Sequence, residues 1–193
     1  MTNIQKYSFS ISPDIQDIII GISLGDLNIN RQGKNARLRF KQSLVHKGYI
    51  YHLFDLFSSY SNMKELKHNE YLDKRTNKVY TFIVFYTYSL PCFNYYYDLF
   101  NVNGVKRIPL NIGGLLTAKG LAYWAMDDGT KEGSGFIFCT DPFTLDEVEL
   151  LVKVLKENFN LNCTIHNYRK AGPALGRGPG PALSNLYKFK LNE

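Results

Sequence analysis

The chain has 193 residues, with 23 Lys and Arg against 17 Asp and Glu, for a net charge of +6. Hydrophobic residues make up 45% and aromatic residues 15%, including 14 Tyr and 13 Phe, which supports a packed core and excludes an intrinsically disordered chain. Three scattered cysteines (Cys92, Cys139, Cys163) without CxxC spacing exclude a disulfide scaffold and a zinc finger, and no apolar run approaches the ~20 residues of a membrane span. The opening MTNIQKYSFS lacks the charged and apolar regions of a secretory signal. The expectation is a soluble, intracellular, basic protein. Its cationic surplus serves solubility or a polyanionic partner, and placement must decide between them.

Ser12, Pro13 and Asp14 form a helix start: a capping hydroxyl, proline at the first helical position and an acid in the first turn. Ile15, Ile18, Ile19 and Ile22 follow at helical spacing, and the pattern stops at Gly25-Asp26. Residues 28–35 read as a turn-rich patch. In NARLRFKQ, Ala36, Leu38 and Phe40 alternate with Arg37, Arg39 and Lys41, so a strand is predicted with one wholly cationic face. Residues 44–59 read as an amphipathic helix carrying Leu53, Leu56 and Phe57 on its buried stripe. Residues 64–78 are polar, a loop or hairpin arm, and 79–88 (VYTFIVFYTY) a strand. Pro91 opens a short helix through Phe100, and 101–109 (NVNGVKRIP) breaks regular structure.

A second cycle begins at Thr117, a capping residue for a helix bearing Leu121, Trp124, Ala125 and Asp128. Trp124 reads as core rather than as a base-stacking residue. Residues 136–140 are a predicted strand, 144–159 (TLDEVELLVKVLKENF) the clearest helix in the chain, and 162–170 a further strand. Residues 171–184 (AGPALGRGPGPALS) match neither phosphate-loop spacing and read as a flexible loop, and 187–193 as a last strand. The order of elements is that of one α+β unit used twice.

Two helix ends resemble each other, IIGISLGDL at 19–27 and LAYWAMDDG at 121–129. Gly21 and Gly25 in the first, and Ala122 and Ala125 in the second, offer small faces on which two helices can approach closely. Parallel packing would bring Asp26 and Asp128 together at the negative ends of both helix dipoles. A divalent cation would relieve that repulsion.

GISLGDL, NARLRFKQS, the 106–109 KRIP segment, LAYWAMDDG and FTLDEVELLVKVLKENFNLNC occur in an order that resembles the single-chain, two-motif LAGLIDADG homing endonucleases, over roughly residues 14–170. The resemblance implies an α+β fold: a pseudo-twofold pair of αββαββα units sharing the motif-helix interface, with two saddle-shaped antiparallel sheets on the DNA major groove. The units would be residues 12–105 and 106–193, the second incomplete, because the family continues through a further helix to a second catalytic lysine. The implied activity is site-specific cleavage of double-stranded DNA by phosphodiester hydrolysis at an intron-homing site, with Mg²⁺ or Mn²⁺. The alternatives are an RNA maturase assisting group I intron splicing, or a decayed remnant that binds nucleic acid only.

By the same resemblance Asp26 and Asp128 are catalytic metal ligands and Lys106 a catalytic lysine. From their position beside these acids, Asp127 reads as a second metal ligand or simply a C-terminal turn residue, and Gly25 as a ligand through its carbonyl. Gly21, Gly25, Ala122 and Ala125 would form the helix interface. Arg37, Arg39, Lys41, Lys78 and Tyr80 on the first sheet, and His166, Tyr168 and Lys170 on the second, would face DNA. A monomer, no membrane association and production inside an organelle such as the mitochondrion, without a targeting signal, complete the expectation. The histidines form no metal or nuclease motif, and His46 and His52 are expected on a helix surface.

Overall fold

A computed structural model describes residues 2–133, 135–168 and 186–192. After a short helix α1 (Asn3–Tyr7), α2 (Pro13–Leu24) starts where its caps require. The Ser12 hydroxyl accepts the Ile15 N–H at 3.3 Å, and Pro13 occupies the first turn, where its missing N–H costs nothing. Residues Ile18 to Leu24 are all buried, so α2 is wrapped by the protein rather than lying on its surface.

Strands β1 (Asn28–Gln32) and β2 (Asn35–Ser43) form a hairpin, followed by α3 (Lys47–Phe57), β3 (Lys67–Asp73) and β4 (Lys78–Tyr86). The antiparallel sheet order is β1-β2-β4-β3. Residues 28–35, read from the sequence as a turn patch, are mostly strand. Among the described side chains of NINRQ only Ile29 is buried, so its pairing with β2 and not its own pattern makes it β structure. The polar stretch beyond residue 64 is the arm β3–β4. On the inner face Phe40 stacks on Phe85 with ring centroids 4.3 Å apart and meets Phe57 at 4.8 Å.

A linking region follows: α4 (Asn94–Phe100), the two-residue strands β5 (Asn101–Val102) and β6 (Val105–Lys106), and α5 (Ile112–Leu115). The second cycle is α6 (Ala118–Asp128), β7 (Gly129–Glu132), β8 (Gly135–Cys139), α7 (Leu145–Phe159), β9 (Asn162–Tyr168) and β10 (Leu186–Asn192). Its sheet order, β7-β8-β10-β9, repeats that of the first sheet position for position. Trp124 is fully buried, its ring 4.3 Å from Phe138, which in turn stacks on Phe189 at 5.1 Å. The 171–184 segment, Arg169 and Lys170 lie outside the described residues.

Helices α2 and α6 run parallel and touch at three levels. Near their N-termini Lys119 pairs with Asp14. In the middle, backbone meets backbone: a methyl on Gly21 would run into the Gly120 carbonyl, and one on Gly120 would sit 3.0 Å from the Asp17 carbonyl oxygen. At the C-terminal ends Gly25 and Asp26 meet Asp127. The expected small-residue pairing is therefore corrected on one side. Gly21 and Gly25 are at the contact, but their partners on α6 are Gly120 and Asp127, while Ala122 is exposed and Ala125 half-buried. Helical periodicity explains this: once Gly120 sets the contact, the residues seven further on and near Trp124 follow it inward, and Ala122 is carried to the outer side.

Gly21→Ala forces these helices apart and is expected to lower stability by about 1–3 kcal/mol, the scale of overpacking a close contact. Gly48→Ala, in open space on α3, should be neutral or stabilising. Urea unfolding of the two variants checks this, and equal midpoints for both would contradict the close crossing.

Candidate nucleic-acid interface and two-acid centre

The parallel crossing carries both helix ends to one place. Asp26 is exposed immediately after α2, and Asp128 is half-buried as the last residue of α6. Between them, Asp127 is the most constrained acid. Its Oδ2 accepts the Asp26 N–H, and its Oδ1 accepts Gln42 Nε2 at 2.9 Å from β2. Desolvation at the helix contact first, and the charge of Asp26 second, push its carboxyl up to about 7, with Asp128 adding in the same direction. Tyr49 on α3 closes the contact from the side: its hydroxyl donates to the Tyr123 carbonyl at 3.4 Å, and burial first, then the Asp127 charge, hold it protonated. His52 is exposed as expected, stacked on Tyr123 and bonded to its hydroxyl at 2.7 Å.

Both helices point their negative dipole ends at this centre, so cationic compensation is needed. Lys106, on β6, supplies it by donating to the Gly25 carbonyl, the last turn of α2. Its ammonium also lies 5.8 Å from the Phe143 ring centroid. Thus Asp26, Asp127, Asp128, Gly25 and Lys106 are brought together. Asp127, expected as an additional ligand or a helix-end residue, has both oxygens engaged by protein donors, and the Gly25 carbonyl faces the lysine. Among the described residues, no group of three or more His, Cys, Asp or Glu side chains forms a metal cage.

The sheet faces beside this centre differ in character. On the first, Arg37, Arg39 and Lys41 share a face with Tyr86, Val84 and Phe82, the residues of β4 that pair with or flank them. The Arg37 guanidinium lies 4.6 Å from the Tyr86 ring centroid and that of Arg39 6.0 Å, while Lys41 Nζ sits 4.3 Å from the Phe82 ring. Aromatic faces hold these cations out from the core without neutralising them, as an anion-binding surface requires. Lys78 and Tyr80 are exposed further out on β4, where Tyr80 pairs with Tyr71. Tyr86, Phe82 and Gln42 were not singled out by the sequence reading. The period-two register of 79–88 contained the signal for the first two.

The chain fits the family model described as the LAGLIDADG DNA endonuclease family over residues 16–176. It belongs to that family. It is 32% identical to the cytochrome b mRNA maturase bI2 of Saccharomyces cerevisiae over 99% of this chain and 51% of that protein, so it spans about half the length of that relative. It is 26% identical to the DNA endonuclease I-ChuI of Chlamydomonas applanata, covering 95% of this chain and 97% of the relative. The fold superposes on the homing endonuclease I-WcaI bound to its DNA recognition sequence with a TM-score of 0.81 and 25% identity, over 96% of this chain and 79% of that one.

In this LAGLIDADG chain the outer face of the second sheet carries Thr130, Ile137, Thr164, His166 and Lys190 by register. His166 is exposed and bonded to Thr164 Oγ1 at 3.1 Å. Lys190, which the sequence reading did not assign to this face, lies across Gly135, where no side chain stands in its way. The Tyr168 side chain and Lys170 lie outside the described residues. No helix of the described residues is long and apolar enough to cross a membrane.

Asp127 is expected to be the clasp of the helix ends. Asp127→Leu leaves the Asp26 N–H and the Gln42 amide without their acceptor, costing about 1–3 kcal/mol per stranded group. Asp127→Asn keeps its oxygen as acceptor for the Asp26 N–H and, with the Gln42 amide turned over, donates to the Gln42 oxygen, so it should cost clearly less. Chelator-treated, DNA-free protein unfolded in urea gives the comparison, and a leucine variant as stable as wild type would contradict the clasp.

Proposed function

We propose that this chain is a site-specific, divalent-metal-dependent DNA endonuclease that cuts both strands by phosphodiester hydrolysis. The observation that carries the proposal is the meeting of two equivalent helix ends, each finishing in an acid, between two sheets of matching strand order. Two equivalent acids beside two equivalent faces suit a substrate with two antiparallel strands.

The donor chemistry fits Mg²⁺ or Mn²⁺: the carboxylates of Asp26 and Asp128 are hard oxygens, and Mg²⁺ is usually held by one or two carboxylates together with substrate phosphates. Bound there, the ion supplies Lewis acidity and positive charge to the scissile phosphate. The chain's own groups do the rest. Asp127 fixes the backbone of Asp26, so that the carboxylate beside it is aimed before substrate arrives. Lys106 places a positive charge at the end of α2, where the phosphate's negative charge would build up. Arg37, Arg39 and Lys41 seat the duplex through phosphate contacts and base edges. On this reading the gene lies in an organelle intron and its product works as a monomer.

The name of the yeast relative favours a second reading, maturation of the chain's own intron RNA, using the same cationic faces without cleavage. One assay separates the two. With duplex DNA spanning the intron-insertion junction and Mg²⁺, wild type should give linear product, abolished by chelator. Asp26→Asn and Asp128→Asn should each lower double-strand cleavage on the order of 100-fold or more while DNA affinity stays within about threefold. Affinity should also fall steeply with salt, by about 10³-fold or more between 50 and 200 mM if six or more phosphates are contacted. Tight binding to the intron RNA with no DNA cut would select the maturase reading instead.

A further inference from the structure

We infer that Glu147 is a positioning residue for Lys106, holding the segment that carries the lysine against the second half of the chain. The inference deepens the nuclease reading and rests on the role proposed there for Lys106. It starts from an oddity of a helix cap. Thr144 and Glu147 form a capping box at the start of α7: the Glu147 N–H reaches the Thr144 hydroxyl, and Glu147 Oε2 accepts the Thr144 N–H at 2.7 Å. A capping box needs one carboxylate oxygen. Here a distant segment uses the carboxylate as well: the other oxygen, Oε1, accepts the Ile108 N–H at 2.9 Å, and Arg107 Nη1 reaches the capping oxygen Oε2 at 3.3 Å. The Glu147 side chain is only 14% exposed and Ile108 is buried, so the Ile108 N–H has little access to water as a substitute, whereas the Arg107 side chain is 40% exposed.

Arg107 and Ile108 directly follow Lys106. On its other side, Lys106 belongs to a hairpin of two-residue strands whose tip, residues 102–105, is exposed. Such a short ladder cannot fix a long side chain. The Arg107 N–H to the Phe100 carbonyl, at 2.8 Å, and the two Glu147 contacts pin the exit of the hairpin together with the buried Ile108 side chain. Phe143, buried one residue before the cap, brings its ring beneath the Lys106 ammonium. The Lys106 ammonium that meets the end of α2 is therefore aimed by the N-terminus of α7. A lysine acting beside the acid of one motif depends on the helix that follows the other motif.

Glu147→Gln separates positioning from capping. Glutamine still caps, but its amide nitrogen cannot accept a hydrogen bond, so it cannot serve Thr144 and Ile108 together. Thr144→Ala weakens the cap and leaves the Ile108 contact in place. The expected result for Glu147→Gln is a single-turnover cleavage rate of bound DNA reduced on the order of 10- to 100-fold, with DNA affinity within about threefold of wild type. Thr144→Ala should lower the unfolding midpoint comparably but leave the rate within about threefold. In a Lys106→Ala background Glu147→Gln should cost nothing further, because its effect runs through that side chain. Pulse acylation read by mass spectrometry supplies an arm that needs no cleavage: Lys106 should label several-fold faster in Glu147→Gln than in wild type or Thr144→Ala. Equal labelling in all three proteins would overturn the inference, as would a Glu147→Gln loss that persists undiminished without Lys106. Wild-type protein that cuts no duplex would sink the nuclease reading, and the labelling would still decide the Glu147 contact.

Discussion

Everything in this molecule is arranged around one close approach, the contact of α2 and α6 where Gly21 lies against the Gly120 carbonyl. No side chain separates the two backbones there. Since the helices run parallel, their C-terminal ends are bound to meet, and with them the acids that end each motif. The arrangement is unfavourable taken alone, with two dipole ends and three carboxyls in one place. Three features offset it. Lys106 caps the Gly25 carbonyl, the Asp127 carboxyl is shifted toward its neutral form, and Asp127 draws hydrogen bonds from both the opposite helix end and β2. Helix packing thus sets the electrostatics, and the electrostatics make a centre suited to a cation and a phosphate.

The sheets inherit their placement from the same contact. Each motif helix leads directly into the first strand of its own sheet, α2 into β1 and α6 into β7. Fixing the helix pair therefore fixes the two sheets relative to the acids. The cation–aromatic rungs of the first sheet, Arg37 on Tyr86 and Lys41 on Phe82, then present charge beside the centre rather than elsewhere on the surface. On the second sheet, register places Lys188, Lys190 and His166 on the corresponding face. The two halves share topology while differing in the chemistry they offer a partner.

Local signals made much of this legible. The Ser12-Pro13-Asp14 start, the Thr144 cap and the alternation of residues 36–41 each state their element within a few residues, and the structure carries α2, α7 and β2 there. The clustering of Asp26, Asp127, Asp128, Gly25 and Lys106 followed from two similar helix ends plus one family segment. What the sequence hid is tertiary. NINRQ and GTKE have no strand pattern of their own and become β1 and β7 by pairing with β2 and β8. The spacing of Ala122 and Ala125 suggested a small face, but which face of α6 is buried depends on the crossing, and Gly120 decides it. Glu147 reads as an ordinary capping residue, because the second partner of its carboxylate lies 39 residues away.

The most direct test is crystallographic: Mn²⁺ located by anomalous scattering in a complex of the chain with duplex DNA. The account predicts anomalous peaks against the carboxylates of Asp26 and Asp128, with the duplex lying across the outer faces of both sheets and Arg37, Arg39 and Lys41 against it. Peaks elsewhere, or a duplex seated on another surface with the two helix ends facing solvent, would contradict it.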